Sequence, residues 1–277
     1  MGKGRDRLAV VTFNHVPEVN HTFKYERLGA MAMENRRLYC ERKGYSFISE
    51  VPPAEGRPAC WAKIPALLGA LQSHRWALWA DSDALLFDAD GDLERFCDPD
   101  HDLVVQSHEE FYQLIGMPLE RGLDAMPLNS GVFLIQASAW SLAFLEAVYA
   151  QSQYVTHGEV WDGIGEQEAM IHLLRRHPED RRRIKYVEGL QNHPRLYRRG
   201  DAFVHFYGNH APHRIGADDC EEVLARWETA NRTLSPFPPD RARFHWCCIQ
   251  NKQPGGPKVR GDLGHYLYTE ADLLPAA

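Results

Sequence analysis

Two aspartates one residue apart follow a continuous apolar segment of the chain. Asp81 and Asp83 flank Ser82 directly after the run over residues 76–80. Such a run is typical of a buried strand, and ligand sites in open α/β sheets lie beyond the carboxyl ends of the strands. Carboxylate oxygens at this spacing suit a Mg²⁺ or Mn²⁺ ion that bridges a diphosphate. A solvated acidic turn is the alternative, and the position at the end of a buried strand favours the metal site.

A histidine much later in the chain offers a third ligand. His205 lies at the end of another apolar run, over residues 203–206. A neutral imidazole at this point would complete an Asp/His metal site, whereas the alternative is a core histidine satisfied by its neighbours. Gly208 begins the segment Gly-Asn-His, whose backbone amides could face a phosphate.

The segments that must position these residues alternate between strand and helix patterns. The strand patterns cover residues 8–13, 45–51, 76–80, 103–106, 132–135, 184–188 and 202–206. The helical patterns cover residues 25–43, a segment that starts at residue 61, and residues 137–151, 166–175 and 218–231. This alternation predicts an α/β fold with a mostly parallel sheet flanked by helices. We expect one domain over residues 1–234, with residues 235–277 packed on it as a tail or lid.

Composition excludes several classes of protein. Of the 277 residues, 44% are apolar and 25% are charged, as in an ordinary globular protein. Lys and Arg number 31 and Asp and Glu number 38, which gives a formal net charge of −7. This charge argues against a general nucleic-acid or anionic-membrane surface. No apolar stretch reaches the roughly 20 residues that span a bilayer, and the start lacks a signal-peptide pattern. We therefore expect a soluble, cytoplasmic protein.

Six short segments carry a resemblance to one enzyme family. In chain order they are NRRLYC (35–40), WAK (61–63), WALWADSDA (76–84), LNSGVFLI (128–135), GEQEA (165–169) and HFYG (205–208). With these segments the chain resembles the galactosyl/mannosyl/xylosyltransferase family, glycosyltransferase family 34, over about residues 8–210. The resemblance implies a GT-A (Rossmann-like) fold, a nucleotide-sugar donor, Mn²⁺ dependence and retention of the anomeric configuration.

The resemblance also implies roles for single residues. The implied metal ligands are Asp81, Asp83 and His205, and the implied catalytic residues are Glu166, Gln167 and Lys63. The residues implied to bind the donor are Thr12, Phe13, Asn14, Lys63, Ser82, Asn129, Ser130, Gly131 and Gly208. The chain departs from the family pattern at Glu166, which stands in place of an aspartate, and at Asn209, which stands where many relatives have cysteine. The family's usual stem and membrane anchor are not expected here.

These observations predict a retaining, metal-dependent glycosyltransferase. The expected donor is a UDP-hexose, UDP-galactose first, because the resembling family uses mainly UDP-galactose, UDP-xylose and GDP-mannose. Retention requires a covalent intermediate on Glu166 or a same-face route in which the leaving phosphate takes the acceptor proton, and we favour the same-face route with Gln167 beside the developing cation. A metal-dependent nucleotide-sugar hydrolase or nucleotidyltransferase, and a non-catalytic carbohydrate-binding module, stay open.

The expected acceptor is a hydroxyl-bearing small molecule or saccharide. The net charge of −7 favours a cationic acceptor, such as an aminocyclitol, through long-range attraction that salt screens. An excess of Arg over Lys and the lack of a membrane stem suggest a bacterial source.

Overall fold

The computed structural model describes residues 6–14, 25–51, 54, 56–107, 109, 128–155, 165–192, 198 and 200–205. The strands are β1 (Asp6–Val11), β2 (Ser46–Ile48), β3 (His74–Ala80), β4 (Ala84–Leu86), β5 (Leu103–Ser107), β6 (Leu128–Gln136), β7 (Ile184–Val187), β8 (Gln191–Asn192) and β9 (Phe203–His205). The α-helices are α1 (Tyr25–Lys43), α2 (Lys63–Ala70), α3 (Ala139–Tyr149) and α4 (Glu166–Arg176). The helix expected over residues 218–231, Gly208 and the expected boundary after residue 234 lie outside the described residues.

The main sheet is mostly parallel, as predicted. Its six strands lie in the order β2-β1-β3-β6-β5-β7. Every neighbouring pair is parallel except those of β6, which runs antiparallel to both β3 and β5. Because β6 is reversed, its first residues lie beside the carboxyl end of β3, where Ala80 pairs with Val132. The beginning of β6 and the end of β3 therefore meet at the edge of the sheet where the acidic turn, which contains Asp81 and Asp83, starts.

The two faces of the main sheet pack against different layers. Alternate residues of a strand point to opposite faces, and β3 uses both of them. Ala77 and Trp79 belong to a core with α2, α3 and α4, whereas Trp76 and Leu78 belong to a core with α1 and β4. Each fully buried Leu or Phe in these layers stabilises the fold by roughly 1.5–3 kcal/mol relative to an exposed one. The end of β3 is thus held from both sides.

A second, three-stranded sheet was not predicted from the sequence. Its order is β4-β9-β8, with β4 antiparallel and β8 parallel to β9. Ala84 pairs with His205 in this sheet, so the residue after the acidic turn lies opposite the histidine. Strands of two and three residues leave too short an alternation for sequence patterns to detect.

Several predicted boundaries needed correction. The helix over residues 25–43 matches α1, but β2 is shorter than residues 45–51, and the segment at residue 61 begins as a 3₁₀ helix (Ala59–Ala62) before α2. The segment 129–131 was expected to precede a strand, and it lies inside β6 because Leu128 still pairs with Ser107 and Gly131 still accepts a bond from Asp81. Among the described residues, no helix combines the length and apolarity needed to cross a lipid bilayer.

Candidate active site

The acidic turn joins the two sheets. The Asp81 amide donates to the Gly131 carbonyl of β6 over 2.7 Å, and the Ala84 amide donates to the Asp81 carbonyl over 3.1 Å. The second bond closes a four-residue turn that begins at Asp81. Asp is favoured at the first position of such turns because its side chain can hydrogen-bond to the backbone of the turn. The turn therefore leaves β3 of the main sheet and enters β4 of the small sheet with both aspartates at the junction.

Three potential metal ligands converge at this junction. One ligand atom from each of Asp81, Asp83 and His205 lies within 4.8 Å of the others. His205 Nε2 is 3.1 Å from Asp83 Oδ1 and 3.9 Å from Asp81 Oδ2. An octahedral Mg²⁺ or Mn²⁺ with ligands at about 2.1 Å places adjacent ligand atoms about 3 Å apart. The Asp83–His205 separation of 3.1 Å matches adjacent ligands, and the 3.9 Å between Asp81 and His205 is wider. The donor set of two carboxylates and one imidazole fits a divalent cation.

The other oxygen of Asp81 is held from behind. The Trp79 indole Nε1 donates to Asp81 Oδ1 over 2.6 Å, and the Lys63 ammonium lies 3.2 Å from the same oxygen. Since residues two apart on an extended segment share a face, Trp79 is placed to make this bond by the strand itself. With Oδ1 engaged, Oδ2 is the oxygen turned toward His205. The bond from Trp79 was not predicted, although the i,i+2 spacing was a usable signal.

A buried arginine supports the backbone of the turn. Arg36 of α1 is 0% exposed, and its Nη1 donates to the carbonyls of Asp81 (2.6 Å) and Ala84 (3.1 Å). Burial lowers the pKa of Arg36 to about 10, against the opposing effect of Asp81 and Asp83, so the guanidinium stays charged at neutral pH. A fixed positive charge beneath the turn offsets part of the repulsion between the two carboxylates. The sequence showed Arg36 only as part of a matching segment and indicated no role for it.

Lys63 lies in a buried network between the acidic turn (residues 81–84) and helix α4. Its Nζ donates to Glu166 Oε1 (2.6 Å) and to the Ser130 carbonyl (2.9 Å), besides the contact with Asp81. The ammonium also donates to the Ser130 hydroxyl oxygen over 3.4 Å, and Asp81 Oδ1 is an ion-pair partner at 3.2 Å. Lys63 was expected to bind the donor, which stays a prediction, and the structure shows it bridging two carboxylates.

The charges of Lys63 and Glu166 stabilise one another, whereas burial raises the pKa of Asp81. Burial lowers the pKa of Lys63, but the carboxylates of Asp81 and Glu166 raise it by more, so the ammonium form is strengthened. Burial raises the pKa of Glu166, and the Lys63 ammonium with its hydrogen bond lowers it by more, which keeps Glu166 ionised. Removal of a single partner from a buried charge pair of this kind strongly destabilises the folded protein, because the other charge is left uncompensated.

Glu166 and Gln167 open helix α4 and face β6. Besides Lys63, Glu166 Oε1 accepts a bond from the Ser130 hydroxyl over 3.1 Å, and the Glu166 residue is 6% exposed. The Ser130 backbone amide donates to Gln167 Oε1 over 2.9 Å, and Gln167 is only partly buried. An amide oxygen has a second lone pair, so this bond leaves acceptor capacity on Gln167. Ser130 thus connects both predicted catalytic residues of α4 to strand β6, which lies beside the acidic turn.

The residues after β1 have different surroundings. Thr12 is 0% exposed and its hydroxyl donates to the Ala80 carbonyl over 2.7 Å, so it secures the end of β3. Phe13 is partly buried with its ring 5.7 Å from that of Trp79, and the side chain of Asn14 lies against Gly29 of α1. Of the three residues expected to hold the nucleotide, Phe13 and Asn14 keep exposed surface and Thr12 does not.

The segment over residues 129–131, expected to bind the donor, supports the histidine. A β-carbon on Gly131 would lie 1.9 Å from His205 Cε1, so only glycine leaves room for the ring. Asn129 Oδ1 accepts a bond from the Gly131 amide over 2.7 Å, and Asn129 is 4% exposed. Ser82, between the two aspartates, is partly exposed. The structure therefore brings all the described candidates to one edge of the sheet, with Gly131 in contact with the His205 ring.

We predict that Lys63→Met destabilises the protein by about 3–5 kcal/mol, because it leaves the Glu166 carboxylate buried and unpaired. Urea unfolding measures the loss. In the double variant Lys63→Met, Glu166→Gln, part of the stability should return, since no uncompensated charge remains between α2 and α4. Equal losses in the single and double variants would contradict the charge-pair interpretation.

Comparisons with known proteins agree with this geometry. The model of the galactosyl transferase GMA12/MNN10 family matches residues 6–247. "Probable glycosyltransferase 6" of Oryza sativa subsp. japonica is 28% identical over 260 residues, covering 87% of this chain and 49% of the rice protein. "Galactomannan galactosyltransferase 1" of Cyamopsis tetragonoloba is 28% identical over 161 residues, covering 57% of this chain and 35% of its own length. The chain thus spans about half the length, or less, of these curated relatives.

A solved structure supports the fold. A glycosyltransferase involved in the glycosylation of the major capsid of PBCV-1 superposes with a TM-score of 0.53 at 17% identity, covering 79% of this chain and 98% of that one. The predicted GT-A fold is confirmed. Since the family match extends over residues 6–247, the predicted family is confirmed as well, and the chain belongs to the galactosyl transferase GMA12/MNN10 family.

Proposed function

We propose that this protein is a retaining, metal-dependent glycosyltransferase that transfers a hexose from a nucleotide sugar to a hydroxyl group. The observation that carries the proposal is the convergence of Asp81, Asp83 and His205 at the end of β3, beside Glu166 and Gln167 on α4. Membership of a galactosyl transferase family supports the activity and makes galactose the first sugar to test.

Asp81, Asp83 and His205 would hold the metal, and Mn²⁺ suits a site that mixes carboxylates with an imidazole. When bound, the ion supplies positive charge that stabilises a diphosphate leaving group. The chain's own contribution is to orient the ligands before the donor arrives. Trp79 and Lys63 turn one oxygen of Asp81 away from His205, and Arg36 fixes the turn. Such preorganisation avoids reorganisation during the reaction.

The surroundings of Glu166 support a same-face route over a covalent one. A nucleophilic carboxylate must present a free oxygen to the anomeric carbon. Glu166 is 6% exposed, and its Oε1 accepts bonds from both Lys63 and Ser130. In our proposal Glu166 is the counter-ion of Lys63, and the leaving phosphate takes the acceptor proton. Gln167, partly exposed with spare acceptor capacity, lies beside the developing positive charge.

The donor would lie along the carboxyl edge of the main sheet. Phe13 and Asn14 offer exposed surface for the base and ribose, and Ser82 lies between the metal ligands. UDP-galactose is the proposed donor. The proposed acceptor is a saccharide or a hydroxyl-bearing small molecule, with a cationic acceptor favoured by the charge of −7.

The test is a donor panel. The protein is incubated with Mn²⁺ and UDP-galactose, UDP-glucose, UDP-xylose or GDP-mannose, and release of nucleoside diphosphate is followed with and without sugar and aminocyclitol acceptors. Acceptor-dependent release and a product with the donor's anomeric configuration, read by NMR, are expected. His205→Ala should abolish the release that Mn²⁺ stimulates, whereas His177→Ala, at an exposed site, should leave this release unchanged.

Other results would replace the proposal. Release that no acceptor increases would indicate a nucleotide-sugar hydrolase, and release of a nucleoside monophosphate would indicate chemistry at the diphosphate. Sugar binding without any release would indicate a carbohydrate-binding protein. An inverted product, or a sugar adduct on Glu166 detected by mass spectrometry, would overturn the same-face route while leaving glycosyl transfer intact.

A further inference from the structure

The His205 ring has a partner on the side away from the aspartates. Its Nδ1 lies 2.8 Å from Oε1 of Gln191. Gln191 is 1% exposed and belongs to β8, which pairs in parallel with β9 and its His205. The two ring nitrogens of His205 therefore face different chemical groups, a carboxylate at Nε2 and an amide at Nδ1.

The orientation of the Gln191 amide is decided by the backbone of β6. Its Nε2 lies 3.1 Å from the Asn129 carbonyl and 2.7 Å from the Val132 carbonyl. Backbone carbonyls only accept hydrogen bonds, so the NH₂ group must be the end that faces them. The amide oxygen is thereby turned toward His205, and this oxygen also only accepts. The hydrogen between Gln191 and His205 must consequently be carried by Nδ1 of the ring.

We propose that Gln191 is a positioning residue that keeps neutral His205 in the tautomer with hydrogen on Nδ1. In this tautomer the lone pair of Nε2 faces Asp81 and Asp83, which is the form that a metal ion requires. The use of that lone pair rests on the proposed metal-dependent function. The assignment of the tautomer is independent of that function.

The carboxylates alone would favour the opposite tautomer. With hydrogen on Nε2, the ring would donate to Asp83 Oδ1 across the 3.1 Å gap and would have no lone pair for a metal. Gln191 opposes this outcome because a hydrogen on Nε2 would leave its buried oxygen facing the Nδ1 lone pair, and an unmade buried hydrogen bond is costly. The same side chain ties β8 to β6, so the two sheets and the ring are aligned by one amide.

The first test is the tautomer in the metal-free protein. The ¹⁵N chemical shifts of His205, assigned with His205→Ala, report which nitrogen carries the hydrogen when the ring is neutral. Hydrogen on Nδ1 is expected in the unaltered protein, and Gln191→Met should move it toward Nε2. Methionine has a similar length but offers neither the NH₂ donors nor the amide oxygen. Hydrogen on Nε2 in the unaltered protein would overturn the proposal without reference to any variant.

The second test is metal affinity, measured by electron paramagnetic resonance of free Mn²⁺. Gln191→Met should weaken Mn²⁺ binding on the order of 10–100-fold, the usual effect of removing a group that orients a ligating histidine. Asn192→Ala is the matched control, because it removes a buried amide of the same strand that donates to Asp201 over 2.8 Å. The Mn²⁺ affinity of that control should not change.

The outcomes separate this proposal from the proposed function. Unchanged Mn²⁺ affinity and tautomer in Gln191→Met would overturn the positioning role, even if transfer activity is found. An Nδ1 tautomer that Gln191→Met abolishes would support the role, even if the protein binds no Mn²⁺ and metal-dependent transfer is refuted. Equal losses in Gln191→Met and Asn192→Ala would show a general effect of the small sheet and overturn the specific claim.

Discussion

Asp83→Ala is expected to remove Mn²⁺-dependent turnover while the protein stays folded. Asp83 Oδ1 lies 3.1 Å from His205 Nε2, so the change deletes one of three converging ligand atoms. Loss of charge stabilisation at the leaving group should lower turnover by more than about 100-fold. The fold should survive because Asp83 lies in a turn, whose backbone Arg36 continues to hold.

The decisive measurements are steady-state turnover over a range of Mn²⁺ concentrations and the unfolding midpoint in urea. Asp83→Asn is a second variant that keeps the size and removes the charge, and it should show the same loss. Asp90→Ala is the matched control, since it deletes an exposed aspartate whose pairing with Arg42 contributes little. Near-normal turnover of Asp83→Ala in Mn²⁺ would refute the metal site.

Gly131→Ala is expected to be the most damaging conservative substitution at the site. Its added methyl would lie 1.9 Å from His205 Cε1 and 2.5 Å from Nδ1, far inside contact distance. The ring is 3% exposed and is held by Gln191, so it cannot move aside without losing that bond. We expect destabilisation of about 1–3 kcal/mol from overpacking. Mn²⁺ affinity should also fall, because the ring is displaced from the aspartates.

The control for this substitution is Gly69→Ala. Gly69 lies in α2 with nothing within 4 Å of its would-be β-carbon, so alanine should stabilise the helix by roughly 0.5–1 kcal/mol. Urea unfolding and Mn²⁺ binding of both variants give the comparison. A Gly131→Ala protein with the stability and Mn²⁺ affinity of the unaltered chain would show that the ring is not confined as described.

Local chemistry explains what was predicted correctly. Helix α1 matched its expected bounds because its composition and the following Gly44 are local signals, and Gly44 has the positive φ of 73° that ends such helices. The three candidate metal ligands were chosen for a similar reason, since each follows or ends an apolar run, and the structure brings them within 4.8 Å of one another. What the patterns did not show was the small sheet, because β8 has only two residues and β4 and β9 have three.

The buried partners of Lys63 could not be predicted for a different reason. The segment Trp61-Ala62-Lys63 gives no indication of where the lysine's ammonium group lies in the fold. Its polar partners are Ser130, Asp81 and Glu166, which are separated from it along the chain by 67, 18 and 103 residues. Desolvation makes such buried bonds decisive for the side chain's position, and only the folded chain determines which acceptors are within reach.

The sequence by itself determined the apolar strand that carries Asp81 and Asp83, the alternation that makes an α/β sheet, and the family. These properties depend on burial and turn preferences of neighbouring residues. The tertiary structure alone decided that β6 runs antiparallel, so that Gly131 meets His205, and that the Gln191 amide faces the imidazole. Gly131 and Gln191 lie 74 and 14 positions from His205 along the chain. These contacts arise because the two sheets pack together and because buried polar groups need hydrogen-bond partners.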